Sequence, residues 1–164
     1  NLDLLVSSSF SKNLGVYRER VGALTLLAAN KEEVDRVMDR VKLCVRTNYS
    51  NPPSHGGQVA TIVLSTPELR KMWEQEVSDM CARIQTMRSL FVETLKQYGV
   101  ERDFSFLLEQ KGMFSFSGIS KEEVEQLREK YHIYILGSGR INVAAMTASS
   151  MDYLCKSIAE VLKG

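Results

Sequence analysis

The chain has 164 residues, of which 44% are apolar and 25% are charged, and 21 Lys and Arg against 20 Asp and Glu leave a net charge of +1. This composition is typical of a globular protein with a core of its own. A net charge this close to zero argues against binding to nucleic acid or to an acidic membrane surface. No apolar run approaches the roughly 18 residues that a membrane span needs. The odd number and wide spacing of Cys44, Cys81 and Cys155 exclude a disulfide framework and a zinc site, so no metal is predicted. Free cysteines favour a reducing compartment and hence a cytoplasmic location.

The first 66 residues are predicted to alternate strands and helices. Asn1 leads directly into an apolar strand, so we expect the chain to begin inside a longer fold. Asn30, followed by an acid at Glu33, has the pattern of a helix N-cap. In chain order, the predicted elements are buried strands at residues 2–7 and 21–29 around a hydroxyl-rich loop at 7–15, a helix from 31 to about 47, a mobile Pro/Gly break at 51–57 and a short helix at 58–64.

A long helix is predicted to follow. Thr66, Pro67 and Glu68 form a strong start signal, and apolar residues then recur at helical spacing as far as Tyr98. A helix over residues 67–98 would be about 48 Å long, which is longer than a small domain is wide, so we expect it to connect two domains.

The last 65 residues are predicted to form an α+β unit. Ser120, with Glu123 three residues later, marks the start of one of its helices. The predicted elements are a strand at residues 114–116, a helix beginning after Ser120, strands at 133–136 and 140–144, and a final helix at 149–162.

The hydroxyl-rich loop is the first candidate site. Ser9, Ser11 and Lys12 lie within four residues after a strand, and Arg20 follows eight residues later. Several donors and fixed positive charge in one loop suit a phosphate group. A lysine buried there beside another cation would have a lowered pKa, and its neutral amine could form a Schiff base with an aldehyde. The alternative is a polar surface loop with a solvated lysine.

Four ordered motifs bear on that choice. The loop reads SFSKNLGVYRERVG at residues 9–22, and RTNYSNPP (46–53), GMFSFSG (112–118) and GRINVA (139–144) follow it. In order and spacing they resemble the lysine signature and later motifs of the class I aminotransferases, most closely the aspartate branch. The resemblance covers essentially the whole chain and implies pyridoxal 5'-phosphate as cofactor.

The resemblance also implies a fold class and a domain organisation. The class is α/β, the C-terminal part of a fold-type I pyridoxal-phosphate-dependent transferase. Residues 1–66 would be the end of the large cofactor domain, residues 67–98 the connecting helix and residues 99–164 the small domain. The family places part of its cofactor site upstream of the lysine motif, so we expect the isolated chain to be inactive.

The residues of the cofactor site follow from the same motifs. Lys12 matches the lysine that holds the cofactor as a Schiff base and later moves the proton between substrate and cofactor. Ser9, Ser11 and Arg20 match phosphate-binding positions, in agreement with the cluster of donors in the loop.

The substrate site would be formed by two arginines and an aromatic ring. Arg140 matches the arginine that binds the substrate α-carboxylate, and Arg46 matches the one that binds the distal carboxylate of a dicarboxylic substrate in the neighbouring subunit. Phe114 matches a residue that lines the pocket. By themselves, Arg140 could be a surface residue, Arg46 could complement a helix dipole and Phe114 could be core.

These matches predict a function with stated alternatives. The main prediction is transamination of L-aspartate with 2-oxoglutarate by a homodimer with shared active sites. Its predicted binding partners are dicarboxylic amino acids and 2-oxo acids, and binding to nucleic acid or to a membrane is not expected. An aromatic aminotransferase of the same branch and a non-catalytic, truncated interaction module are the alternatives. The cytoplasm is the expected location, with a mitochondrial one left open because a leader would precede Asn1.

Overall fold

The computed structural model describes residues 3–163 and has mixed helix and sheet. Short 3₁₀ turns lie at Tyr17–Glu19, Ser105–Glu109 and Val143–Ala145. Backbone contacts divide the chain into two compact units between Val77 and Ser78, inside the third helix. The elements are β1 (Leu4–Ser9), β2 (Gly22–Leu27), α1 (Lys31–Asn48), α2 (Ser54–Ser65), α3 (Pro67–Gln97), β3 (Phe114–Phe116), α4 (Lys121–Tyr131), β4 (Arg140–Asn142) and α5 (Ala148–Lys163).

The first unit is built on an antiparallel pair of strands. β1 pairs with β2 in a register that sets Leu4 opposite Leu27 and Ser9 opposite Gly22. The predicted cap of α1 is confirmed, because the Asn30 side chain accepts a hydrogen bond from the backbone N–H of Glu33 at 2.9 Å. This cap satisfies one of the N–H groups that the first helical turn leaves without a partner.

Two predictions for this unit are wrong in detail. β1 runs on through the serines to Ser9, and both strands are largely exposed rather than buried, because no layer covers both faces of a two-stranded sheet among the described residues. The predicted break at residues 55–57 is helical, since α2 already begins at Ser54. Glycine at position 56 allows α2 to pack closely against Glu19, because a Cβ there would lie 2.6 Å from the Cβ of Glu19.

The second unit has a continuous apolar core. The C-terminal half of α3 packs there with α4, α5 and the β3–β4 ribbon. The ribbon is antiparallel, with Phe114 opposite Asn142 and Phe116 opposite Arg140. The most deeply buried apolar side chains include Phe91 and Leu95 of α3, Leu127 of α4 and Cys155 and Ile158 of α5.

The predicted start of α4 is confirmed in full. The Ser120 hydroxyl accepts from the backbone N–H of Glu123 at 3.2 Å, and the Glu123 carboxylate accepts from the N–H of Ser120 at 2.7 Å. Arg102 forms an ion pair with the same carboxylate at 2.6 Å and holds the pKa of Glu123 below its usual range. Glu123 therefore serves both the helix cap and a contact with the preceding loop.

The predicted strand at residues 133–136 is wrong. This segment forms no strand: Ile133 and Ile135 pack against the core, whereas Tyr134 and Leu136 are exposed. The alternation of apolar side chains is therefore satisfied by packing on one side, without a neighbouring strand. β4 also ends at Asn142, and a 3₁₀ turn at Val143–Ala145 replaces the end of the predicted strand.

The long helix extends over 31 residues, Pro67–Gln97, close to the predicted 67–98. The contact boundary lies within this helix, and the proposed assignment of residues 1–66, 67–98 and 99–164 to two domains and a connector stays a prediction. Within residues 3–163, none of the helices combines the length and apolar composition needed to cross a bilayer.

Candidate functional site

Lys12 lies in a compact turn that follows β1. The backbone N–H of Leu14 donates to the carbonyl of Phe10, and that of Gly15 donates to the carbonyl of Lys12, both at 3.2 Å. Gly15 has a φ of +67°, a left-handed conformation that glycine adopts without steric cost. The turn is closed at its base by a hydrogen bond from the N–H of Phe10 to the carbonyl of Val21 at 3.1 Å.

The two serines of the predicted phosphate site are in contact. The Ser9 Oγ accepts a hydrogen bond from the backbone N–H of Ser11 at 3.2 Å, and Ser11 is only 4% exposed. Opposite Ser9 in the sheet, a Cβ on Gly22 would lie 2.4 Å from the carbonyl oxygen of Ser8, so the pairing at this end of the hairpin requires glycine. The end of β1 thus places two hydroxyl groups directly before Lys12.

Lys12 and Arg20 meet at a common residue, Tyr17. The Lys12 Nζ lies 5.5 Å from the centroid of the Tyr17 ring, a distance typical of a cation–π contact. The Arg20 Nη1 donates to the Tyr17 carbonyl at 3.3 Å, and the Arg20 backbone is left-handed, with a φ of 54°. Lys12 is exposed within this chain, whereas the sequence analysis considered a buried lysine at this position.

Arg46 lies in the last turn of α1, where its side chain is tied to the following segment. Its Nη1 donates to the Ser50 Oγ at 2.7 Å, and Ser50 has a left-handed φ of 68°. The N–H groups of Tyr49 and Ser50 both donate to the carbonyl of Val45, which ends the helix. Arg46 is therefore held against Ser50, which belongs to the same sequence motif, residues 46–53.

In the second unit, Arg140 and Phe114 form one structural pair. The Arg140 Cζ lies 4.1 Å from the centroid of the Phe114 ring, which is the geometry of a guanidinium stacked on an aromatic face. Both line a cleft of about 500 Å³, together with Ile133, Tyr134 and Tyr153. An exposed guanidinium fixed in a mainly apolar cleft is suited to binding a carboxylate.

Gly139 sets the position of Arg140. It has a φ of +75°, and a Cβ there would lie 2.6 Å from the carbonyl oxygen of Ile119. Its carbonyl accepts hydrogen bonds from both the N–H and the hydroxyl of Ser117, at 2.9 and 2.6 Å. The residue before Arg140 is therefore held on both sides by buried backbone.

Three contacts of these segments were missed from the sequence. The Trp73 Nε1 donates to the carbonyl of Asn13 at 2.8 Å, and the His55 Nδ1 lies 2.8 Å from the carboxylate of Glu19. Neither pair has a sequence signal, because its members are 60 and 36 positions apart. The third contact is made by the buried Arg88. The sequence does contain a signal for its burial, because Arg88 occupies a position on the apolar stripe of α3.

Comparison with known proteins identifies the class of protein. Residues 1–158 match the family described as aminotransferase class I and II, and the chain belongs to this family. Among curated relatives, it is 55% identical over 160 residues to the aspartate aminotransferase of Escherichia coli (strain K12), and 41% identical over 162 residues to the mitochondrial aspartate aminotransferase of Gallus gallus. These matches cover 98% and 99% of the chain, but it spans only 40% and 38% of the relatives' own lengths.

Solved structures confirm the predicted α/β fold class. An aromatic-amino-acid aminotransferase from Burkholderia pseudomallei, covalently bound to pyridoxal phosphate, superposes with a TM-score of 0.90 at 50% identity, over 99% of this chain and 41% of that one. A mitochondrial aspartate aminotransferase from Trypanosoma brucei gives a TM-score of 0.88 at 37% identity, over 97% and 42%. The predicted resemblance to aminotransferases is therefore confirmed, whereas the roles of individual residues stay predictions.

Proposed function

We propose that the whole protein is a pyridoxal-phosphate-dependent aspartate transaminase, and that this chain is its C-terminal portion. The reaction exchanges the amino group of L-aspartate for the oxo group of 2-oxoglutarate and gives oxaloacetate and L-glutamate. One observation carries the proposal: a single β-hairpin holds Ser9 at the end of its first strand and Ser11, Lys12 and Arg20 in its loop, in a chain 55% identical to an aspartate aminotransferase.

The donor set fits a phosphorylated aldehyde. Ser9, Ser11 and Arg20 offer hydroxyl and guanidinium donors for a phosphate, and Lys12 supplies a primary amine for the aldehyde carbon. When bound, pyridoxal phosphate supplies an electron-withdrawing ring that makes the Cα proton of an amino acid acidic. The Nζ of Lys12 would take that proton and return it, which gives this amine a role both in holding the cofactor and in proton transfer.

Two arginines would select the substrate. A guanidinium can bind a carboxylate through two parallel hydrogen bonds, so a dicarboxylic amino acid needs two such groups. Arg140, held against Phe114, would bind the α-carboxylate, and Arg46 would bind the distal one from the neighbouring subunit of a homodimer. A cytoplasmic location is part of the proposal, although one relative is named as mitochondrial.

Steady-state kinetics of the whole protein with added cofactor test the proposal. We expect 2-oxoglutarate-dependent formation of oxaloacetate from aspartate, with a higher kcat/KM than for phenylalanine or tyrosine. Reduction with borohydride followed by peptide mapping should place the cofactor on Lys12. No turnover of any amino acid by cofactor-loaded protein would contradict the proposal.

An aromatic aminotransferase is the second candidate. Three of the solved neighbours carry that name, and one of them, from Psychrobacter sp. B6, was co-crystallised with aspartic acid. Both candidates use the same two arginines. A kcat/KM for aromatic substrates above that for aspartate would favour this second function.

A further inference from the structure

Arg88 is a buried cation in the middle of the second unit. It lies on α3 and is 2% exposed. Its Nη1 donates to the carbonyl of Gln110, and its Nη2 donates to the carbonyl of Gly112 at 2.6 Å and to the hydroxyl of Ser115 at 3.1 Å. The acceptors are two main-chain carbonyls and a hydroxyl rather than carboxylates, so the charge is compensated by dipoles of a single segment, residues 110–115.

A stabilising role alone accounts poorly for this residue. The guanidinium of Arg88 is removed from water, which lowers its pKa, and the Arg88 Nε is buried without a hydrogen-bond partner in the described part of the chain. An apolar side chain on the same stripe of α3 would avoid this desolvation. What the guanidinium provides is a fixed geometry, because its planar fork holds several acceptors in one arrangement.

A second arginine of α3, Arg83, donates in a similar way to main-chain carbonyls of the segment that follows the other strand of the ribbon. Its Nη1 donates to the carbonyl of Ala144 at 2.9 Å, and its Nη2 donates to the carbonyl of Met146 at 2.8 Å. These acceptors lie just after β4, as those of Arg88 lie around the start of β3. A hydrogen bond from the N–H of Val143 to the carbonyl of Met113, at 2.9 Å, joins the two segments.

The ribbon held at these two places is the one that carries the stacked pair. Phe114 begins β3 and Arg140 begins β4, and the two strands pair across only three residues each. So short a ribbon has few hydrogen bonds of its own to fix its position. Its placement on the core therefore depends on contacts from outside the sheet, and α3 supplies two of them.

We propose that Arg88 and Arg83 are positioning residues of the substrate site, which anchor the β3–β4 ribbon to α3 and so fix where Arg140 meets a substrate carboxylate. The inference rests on the proposed function for its kinetic consequence, but the anchoring itself does not. Neither residue touches substrate in this scheme. Both act through Phe114 and Arg140.

The test uses the whole protein and three variants: Arg83→Met, Arg88→Met and Arg88→Lys. A displaced binding group weakens substrate capture, so for both Met variants we expect kcat/KM for aspartate to fall by about 10²-fold, with most of the loss in KM. Arg88→Lys keeps a donor for the carbonyls and should give an intermediate KM. The matched control is Arg70→Met, because Arg70 lies on the same helix but pairs with Glu74 at the surface.

A second readout does not depend on catalysis. Hydrogen exchange of cofactor-free protein should become faster in residues 110–116 for Arg88→Met and in residues 140–146 for Arg83→Met, while α5 keeps its protection. Arg83 is exposed, so its variant tests the proposal even if Arg88→Met does not fold. An unchanged KM in Arg83→Met and Arg88→Lys would overturn the inference. Absence of turnover in the unsubstituted protein would instead refute the proposed function, with exchange still testing the anchoring.

Discussion

Tyr17 joins the two cationic side chains of the hairpin loop, Lys12 through its ring and Arg20 through its carbonyl. The two cations differ in what they can do. Lysine has a nucleophilic amine once it loses a proton, whereas arginine stays protonated and serves only as a donor. We therefore expect Lys12 to attach the cofactor covalently and Arg20 to bind its phosphate.

Substitution of Lys12 and of Arg20 in the whole protein should therefore affect the cofactor differently: one substitution removes its covalent linkage and the other weakens its retention. Lys12→Ala should abolish the borohydride-reducible linkage to the cofactor while leaving noncovalent binding through Ser9, Ser11 and Arg20. Arg20→Ala should keep the linkage but release the cofactor faster on dialysis, because it removes charge facing a dianion. Absorbance and mass spectrometry after reduction measure both. A reducible linkage that persists in Lys12→Ala would show that another lysine carries the cofactor.

The two substrate arginines should differ in selectivity. Every amino acid has an α-carboxylate, but only dicarboxylic ones have a distal carboxylate. Removal of one partner of a bidentate charged pair costs about 30- to several-thousand-fold in binding. Arg46→Leu should therefore depress kcat/KM for aspartate and glutamate by that order and spare aromatic substrates, whereas Arg140→Leu should depress both classes.

Arg40→Leu is the control for this comparison, because it removes an arginine from the same helix six residues before Arg46. It should leave both substrate classes unchanged. Equal losses for aspartate and phenylalanine in Arg46→Leu would refute the assigned role of Arg46.

Single residues could be predicted from the sequence where a local motif fixed their chemistry. Ser9, Ser11 and Lys12 lie within four residues of one another in the sequence, so their proximity needs no knowledge of the fold. The stacking of Arg140 on Phe114 joins residues 26 positions apart and became visible only in the structure. Arg88 went unrecognised because helical periodicity identifies apolar positions and gives no acceptor for a buried cation.

At the scale of elements, caps were predicted well and strands less well. Asn30 and Ser120 satisfy backbone groups within three residues, so the sequence contains the whole interaction. Residues 133–136 have the apolar alternation of a strand, but a strand also needs a partner, and alternation does not specify one. The start of α2 at Ser54 could not be predicted from the sequence. Gly56 and Gly57 suggest a break in the helix unless the contact between Gly56 and Glu19 is known.

The turn before β4 gives a prediction at this scale. Gly139→Ala would add a Cβ 2.6 Å from the Ile119 carbonyl at a φ of +75°, so the backbone must shift and with it Arg140. We expect a cost of roughly 1–3 kcal/mol in the stability of the second unit and a higher KM for aspartate. Denaturant unfolding and steady-state kinetics of the whole protein measure the two effects.

Gly137→Ala is the matched control in the same turn. Its Cβ would meet only the Lys121 Cγ at 3.9 Å, an ordinary contact. This variant should leave both stability and KM nearly unchanged. If both glycines tolerated alanine equally, the strain argument for the placement of Arg140 would be wrong.

At the scale of the whole molecule, the apolar surface of the β1–β2 hairpin bears on the behaviour of the isolated chain. Leu4, Leu5, Val6, Leu24 and Leu27 are each between 41% and 65% exposed. Such a surface on a sheet with open edges favours association. We expect the purified 164-residue chain to form oligomers or aggregates, and to show no transamination because the family places further cofactor contacts upstream of Lys12.

Light scattering and a transaminase assay of this polypeptide test both parts. Leu5→Lys, which places a charge on the exposed face of β1, should reduce association without restoring activity. Steady-state turnover by the isolated chain would contradict the expected inactivity, and a monomeric chain would contradict the expected association.

Shared active sites give the last prediction. If Arg46 binds substrate in the neighbouring subunit, an active site needs Lys12 from one subunit and Arg46 from the other. In a hybrid of an Arg46→Leu subunit with a Lys12→Ala subunit, one site carries both substitutions and the other carries neither. Random pairing of equal amounts puts about half of the subunits in hybrids, so aspartate activity should return to about a quarter of the unsubstituted value. Before mixing, Lys12→Ala should be inactive, and Arg46→Leu should show only its strongly reduced aspartate activity but should still turn over phenylalanine. Hybrids verified by native mass spectrometry that recover no aspartate activity would place Arg46 and Lys12 in the site of one and the same subunit.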